Sequence, residues 1–159
     1  MSTPLNPATE SFWRQYLDAA PDASSARRWF YEAFRIGATA DSADDGAVLI
    51  TRGIKTATSS LLWQYEAQHK PLPQVGSLSI LENGRHDPVC VVETTELVTQ
   101  PFREVDQLFA YEYGEWDRSL TTWRLRCWRI FLDQCQELGR EADHTMPLVC
   151  ERFRVIYPR

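Results

Sequence analysis

Lysine is nearly missing from this chain: of 17 basic residues only Lys55 and Lys70 are lysines, which makes Lys55 unusual in its own context. Histidine is equally scarce, and His69, His86 and His144 are too dispersed to suggest an imidazole-rich metal site or a histidine-built catalytic centre. The cysteines Cys90, Cys127, Cys135 and Cys150 form no C-x-x-C pair, so neither a zinc site nor a disulfide framework is expected. No apolar run approaches the roughly 18–20 residues that span a bilayer. Glu10, Arg14 and Asp18 interrupt the start, where a signal peptide needs a continuous apolar stretch. A cytoplasmic protein without a membrane partner is the expectation. An excess of positive charge is also absent. The net charge of -5 argues against a broad electrostatic grip on duplex nucleic acid, although it leaves room for a small basic pocket.

What is present suits an ordinary packed domain: 159 residues, 43% hydrophobic and 25% charged, with no repeat or low-complexity segment. The proline-rich start, residues 1–7, reads as a loose terminus. Phe12, Trp13 and Tyr16 recur at helical spacing over residues 9–17, and Trp29, Phe30, Ala33 and Phe34 do so over residues 25–34. Two amphipathic helices are predicted, followed by an exposed polar loop over residues 37–46 and a short helix closed by Gly53. The hydroxyl-rich run from Lys55 to Ser60 reads as the entry to another helix. Residues 76–81 and 88–97 flank Asn83-Gly84, a hairpin signal between two antiparallel strands. A helix over residues 102–111 precedes a polar loop, residues 112–117. A long helix is predicted from about Ser119 to Leu138, with Leu120, Trp123, Cys127, Ile130 and Phe131 on one face and Gly139 as its stop. Pro147 opens a last strand, residues 148–157. The pattern predicts an α+β domain: residues 1–33 form an N-terminal helical extension, and residues 34–159 build a small curved sheet or partly closed barrel flanked by helices.

Three groups of residues could carry chemistry. Lys55 with Thr58, Ser59 and Ser60 would make an anion site at a helix start, or a lysine able to accept a proton if withdrawn from water. Simple capping is the plainer reading of the same hydroxyls. The run Glu112-Tyr113-Gly114-Glu115-Trp116-Asp117-Arg118-Ser119 gathers carboxylates, an arginine and a hydroxyl around a glycine, yet Asp117 or Ser119 could merely cap the long helix. Trp63, Tyr65 and Trp116 offer flat faces for unpaired bases, although most aromatic residues are core. Glu93 and Glu151 are carboxylates within strand patterns, on a wet face or in a barrel mouth.

Taken together, these pieces resemble the ASCH family, whose fold is similar to the PUA-type β-barrel. The likeness rests on Gly53 to Trp63, Pro73 to Gly76, Val91 to Glu96, Asp117 to Leu120 with Trp123-Arg124, and Pro147 to Phe153. It implies a role directed at single-stranded RNA or at a modified nucleoside. Ribonuclease-like members implicate a lysine and a downstream serine, which correspond to Lys55 and Ser119. Members that remove the acyl group from N4-acetylcytidine use a lysine, a threonine three residues later and a glutamate, which correspond to Lys55, Thr58 and Glu115. Those small members carry an arginine where this chain has Ser60, and this chain is longer at its N-terminus. The resemblance therefore puts ribonuclease-like hydrolysis first, acyl-nucleoside amidohydrolysis second and non-catalytic RNA binding third. On this reading Lys55, Thr58, Glu115 and Ser119 line one cleft. Ser59, Ser60, Trp63, Tyr65, Glu93, Asp117 and Arg118 contact the substrate. No cofactor is expected, a divalent-metal requirement is left open, and the N-terminal helices offer a face for a homodimer.

Overall fold

The computed structural model describes residues Thr3–Arg159. Its elements run α1 (Pro7–Ala19), α2 (Ala23–Trp29), β1 (Phe30–Phe34), α3 (Ala40–Thr51), β2 (Ala57–Leu61), α4 (Leu62–Ala67), β3 (Leu78–Glu82), β4 (Pro88–Pro101), a 3₁₀ turn (Phe102–Glu104), α5 (Gln107–Tyr113), α6 (Leu120–Leu138) and β5 (Pro147–Tyr157). The strands form one mixed sheet in the order β1-β3-β4-β5-β2. It is open, with β1 and β2 at its edges, so the class is α+β as the pattern predicts, without barrel closure. Among the described residues no helix is long and apolar enough to cross a membrane.

The chain divides into two compact units, and β4 and β5 each run from one into the other. The first holds the described residues up to Gly53, with Pro73–Thr95 and Phe153–Arg159. Trp13, Tyr16 and Leu17 of α1 pack there with Leu78, Ile80 and Val91, while Ile36, Ala47 and Ile50 pack with Leu81, Cys90 and Phe153. The hairpin β3–β4 forms where Asn83-Gly84 indicates. Its turn is wider than two residues: the Asn83 side-chain oxygen accepts from the backbone N–H of Arg85 and of Asp87. Of the segment expected to be loose, Met1 and Ser2 lie outside the described residues, and Asn6 is tied down. Asn6 caps α1 by accepting from the Thr9 N–H, and its amide donates to the His86 carbonyl at 2.9 Å.

The second unit holds Ile54–Leu72 and Glu96–Arg152. Its core is organised by α6, which buries Trp123, Cys127, Phe131 and Cys135 on one stripe against Phe102, Phe109, Tyr113 and Leu148. Trp123 is 1% exposed and stacks on Phe102 at 5.4 Å between ring centroids. Arg124 and Arg126 face water, as the stripe requires. Ile130 does not belong to that stripe: it is 42% exposed, because residues four apart from Trp123 to Cys135 already fill the core-facing face.

Several local expectations are corrected. Residues 30–34 are not helical: α2 ends at Trp29, and the aromatic run continues as β1, paired in parallel with β3. A helical stripe and a buried strand look alike over so short an aromatic run, and the open edge of β3 decides between them. The polar segment before Gly53 is mostly helix, since α3 starts at Ala40 behind a Thr39–Ser42 capping box. The hydroxyl-rich run is likewise not a helix entry. Ala57–Leu61 is strand β2, antiparallel to β5 with Thr58 opposite Glu151 and Ser60 opposite Val149. Threonine and serine suit a half-buried strand as readily as a cap, and β5 supplies the ladder.

Candidate active site

Lys55 lies on the short connection into β2, inside the second unit, and its side chain has no exposed surface. An ammonium so withdrawn from water requires partners. It donates to the backbone carbonyl of Tyr113 at 3.1 Å and pairs with the Glu115 carboxylate at 2.8 Å. The face of the Tyr113 ring lies 3.4 Å below it, centroid to nitrogen, so three groups surround the cation. Burial pulls the Lys55 pKa below its ordinary value, and the Glu115 charge and hydrogen bond act against that pull. Burial pushes the Tyr113 phenol well up, with the Cys127 thiol and Glu115 adding to the effect. The Cys127 thiol is itself pushed up to about 12 by burial.

Glu115 reaches Lys55 because α5 stops where it does. Asp106 caps the start of α5 and Gly114, with φ 74°, ends it in the left-handed region that favours glycine. A Cβ on Gly114 would stand 2.5 Å from the Ile54 carbonyl oxygen and 2.7 Å from the Lys55 Cα. The absence of a side chain therefore lets the loop close against the lysine's own backbone. A second anchor comes from Thr56, whose N–H donates to the Glu112 carbonyl at 2.8 Å. Trp116 and Arg118 also hold positive φ, 57° and 63°, so left-handed residues alternate through the loop that presents Glu115. Glu115 keeps 19% of its side chain exposed and is the member of the pair that meets solvent.

Of the four residues expected to share a cleft, the fold pairs two directly, Lys55 and Glu115. Thr58, three residues after Lys55 and second in β2, is half-buried opposite Glu151. The Ser119 hydroxyl caps α6: it accepts from the Thr122 N–H and donates to Asp117 at 2.8 Å. Asp117 also accepts from the Ser119 N–H and the Thr122 hydroxyl, and these bonds hold its carboxyl below the usual range. Arg118 donates to the carbonyls of Tyr111 and Ile54 and lies over the Tyr111 ring, so it braces the loop.

Among the aromatic candidates, Trp116 is 39% exposed and stacked on Tyr113 at 5.7 Å. Trp63 packs against the core with the Arg140 guanidinium over its ring. Tyr65 has the Lys70 ammonium 5.3 Å from its centroid. Ser59 turns a solvent-free hydroxyl toward Tyr113, and Ser60 is half-buried on β2. Glu93 belongs to the first unit, where Arg154 holds it at 2.9 Å. Tyr113 was not legible as a site residue, nor was the ion-pair group of Arg152 with Glu112 and Glu96. The only local signal for Tyr113 is its place directly before the glycine. Among the described residues no three or more His, Cys, Asp or Glu side chains gather as a metal site would require.

The ASCH domain matches the chain over residues 32–157. The chain belongs to the ASCH domain family. The crystal structure of an ASCH domain from Lactobacillus crispatus JV V101 is similar at 32% identity, covering 96% of each chain with a TM-score of 0.89. Protein EF3133 from Enterococcus faecalis V583 is similar at 25% identity over 92% of this chain and 86% of its own, with a TM-score of 0.79. Hypothetical protein PH0355, at 16% identity and a TM-score of 0.50, shares the fold. No curated protein matches the chain. In this ASCH protein the G-I-K-T-A-T run supplies the buried lysine, and the G-E-W-D-R-S-L run supplies both its carboxylate partner and the cap of α6.

Proposed function

We propose that this ASCH protein is a hydrolase of acylated nucleosides, cleaving the amide bond of a substrate such as N4-acetylcytidine. The observation that carries the reading is the Lys55–Glu115 pair, a buried ammonium 2.8 Å from the carboxylate of a glutamate whose side chain is 19% exposed. Glu115 takes a proton from a water as that water attacks the acyl carbon. The same carboxyl then returns the proton to the departing nitrogen as the C–N bond breaks, releasing the free amine and the carboxylic acid, which loses its remaining proton to solvent. Lys55, enclosed beneath it, fixes the position of Glu115 and balances its charge. Trp116, beside Glu115 and partly exposed, offers a ring for the nucleobase.

Ribonuclease-like hydrolysis, which the resemblance puts first, is less well supported. It draws on Ser119, whose hydroxyl is engaged at both ends by Asp117 and the Thr122 N–H. The deciding experiment incubates the purified chain with N4-acetylcytidine and, separately, with labelled single-stranded RNA. Cytidine release should be seen, and Glu115→Gln should lower kcat by about 10²–10⁴-fold, the usual weight of a general acid–base group. RNA cleavage without deacylation would instead establish the ribonuclease. Binding without turnover of either substrate would make the chain an RNA-binding module.

A further inference from the structure

A second feature of the same unit lies outside the Lys55–Glu115 pair. The first half of α6 carries Thr121, Arg124, Leu125 and Trp128 at spacings of three and four, so they form one stripe beside the core-facing one. Across from it stand Phe102 and Arg103 of the 3₁₀ turn and His144. Together they line an open groove of about 750 Å³. The N–H groups of Phe102 and Arg103 donate to the carbonyls of Met146 and His144, which fixes that wall. Leu125 is 71% exposed and supplies aliphatic surface to the groove.

The charge of the lining is one-sided. Arg103 and Arg124 are exposed, and none of the seven lining residues is acidic, in a chain whose net charge is -5. The aromatic surfaces, by contrast, are already in use. His144 stacks on Trp128 at 4.8 Å and 24°, and Phe102 meets Trp128 at 5.6 Å and 65°. A single-stranded nucleic acid would need a free flat face for its bases. What the groove leaves open is an aliphatic side chain beside two guanidinium groups, that of Arg124 also donating to the Arg103 carbonyl at 3.5 Å. Those groups match carboxylates well, because each presents a planar fork of donors.

We propose that this groove docks a short acidic peptide segment of a partner protein, with one apolar side chain seated on Leu125 and flanking carboxylates paired with Arg103 and Arg124. The assignment is independent of any hydrolytic activity. The test titrates the full chain, labelled with nitrogen-15, with an acetylated nonapeptide bearing a central leucine between aspartates. The Trp128 indole signal should move. A matched peptide with lysines in place of the aspartates should leave it unmoved. Arg103→Glu and Arg124→Glu should each weaken the acidic peptide at least about tenfold, the scale of one charge-assisted contact. Leu125→Asp should abolish its binding. All three positions are exposed, and an otherwise unchanged spectrum verifies the fold. The proposal is overturned if both peptides move the signal alike, if charge reversal leaves the acidic peptide's titration unchanged, or if decauridylate binds the groove more tightly than the acidic peptide.

Discussion

Lys55 and Glu115 form an unequal pair: at 2.8 Å separation, the lysine side chain has no exposed surface while the glutamate keeps 19%. Removing either partner should therefore have different consequences. Glu115→Ala strands an ammonium beneath the surface, a loss of about 3–5 kcal/mol for a buried pair broken from one side. Lys55→Met fills the same space with an apolar chain of similar length, and Glu115 keeps the part of its side chain that meets solvent. Urea denaturation should rank Glu115→Ala as clearly less stable than Lys55→Met. Equal losses would show that both members are equally enclosed.

Alkaline stability follows from the thiols. Burial pushes Cys90 and Cys127 up to about 12 from an ordinary 9.0. Between those values the unfolded chain releases protons that the folded chain keeps, so folding stability falls as pH rises above about 9. The raised Tyr113 phenol acts in the same direction above its ordinary 10.0. Lys55 acts oppositely: its folded pKa is lowered, so the burden of its burial eases as pH climbs toward 10.5. The urea midpoint, followed from pH 8 to 11, should decline, and Cys127→Ala should flatten the decline. A midpoint that rises over this range would contradict the buried thiols.

The pairing of Lys55 with Glu115 was accessible from sequence only through two motifs taken together, because nothing local to either links them. The long helix was plain, since Trp123, Cys127 and Phe131 repeat every four residues and Ser119 and Gly139 mark its ends. Strand β2 was hidden. Its serines and threonine satisfy a cap pattern, and what makes them a strand is β5, far along the chain. For the same reason neither the capping reading nor the helix-start anion site finds its helix beside Lys55, since the helix begins only at Leu62. Within the candidate run, the role of Tyr113 has no sequence signal because its contribution is a carbonyl and a ring face, neither of which a residue pattern records.

Ser119 provides the contrast between a cap and a nucleophile. Its hydroxyl accepts from the Thr122 N–H at the start of α6. Ser119→Ala should cost about 1 kcal/mol of stability, the usual loss of an N-cap. Deacylation of N4-acetylcytidine, measured well below the variant's melting temperature, should keep its kcat. Abolished turnover in a variant shown to be folded would return Ser119 to the chemistry.

Gly114 tests whether the loop geometry serves the pair. Its φ of 74° costs a residue with a Cβ roughly 1–2 kcal/mol, and here the added carbon would also meet the Ile54 carbonyl oxygen at 2.5 Å and the Lys55 Cα at 2.7 Å. Both contacts are backbone, so neither can swing aside, and relief must come from moving the 114–118 loop away from the start of β2. That displacement carries Glu115 off Lys55. Gly114→Ala should therefore lose stability and lower kcat together. Gly139→Ala gives the control: that glycine has φ 68° but nothing within 4 Å of its added carbon, so the same backbone cost appears without disturbing the pair. A folded Gly114→Ala chain that retains full kcat would mean that the closeness of this loop to Lys55 has no bearing on the reaction.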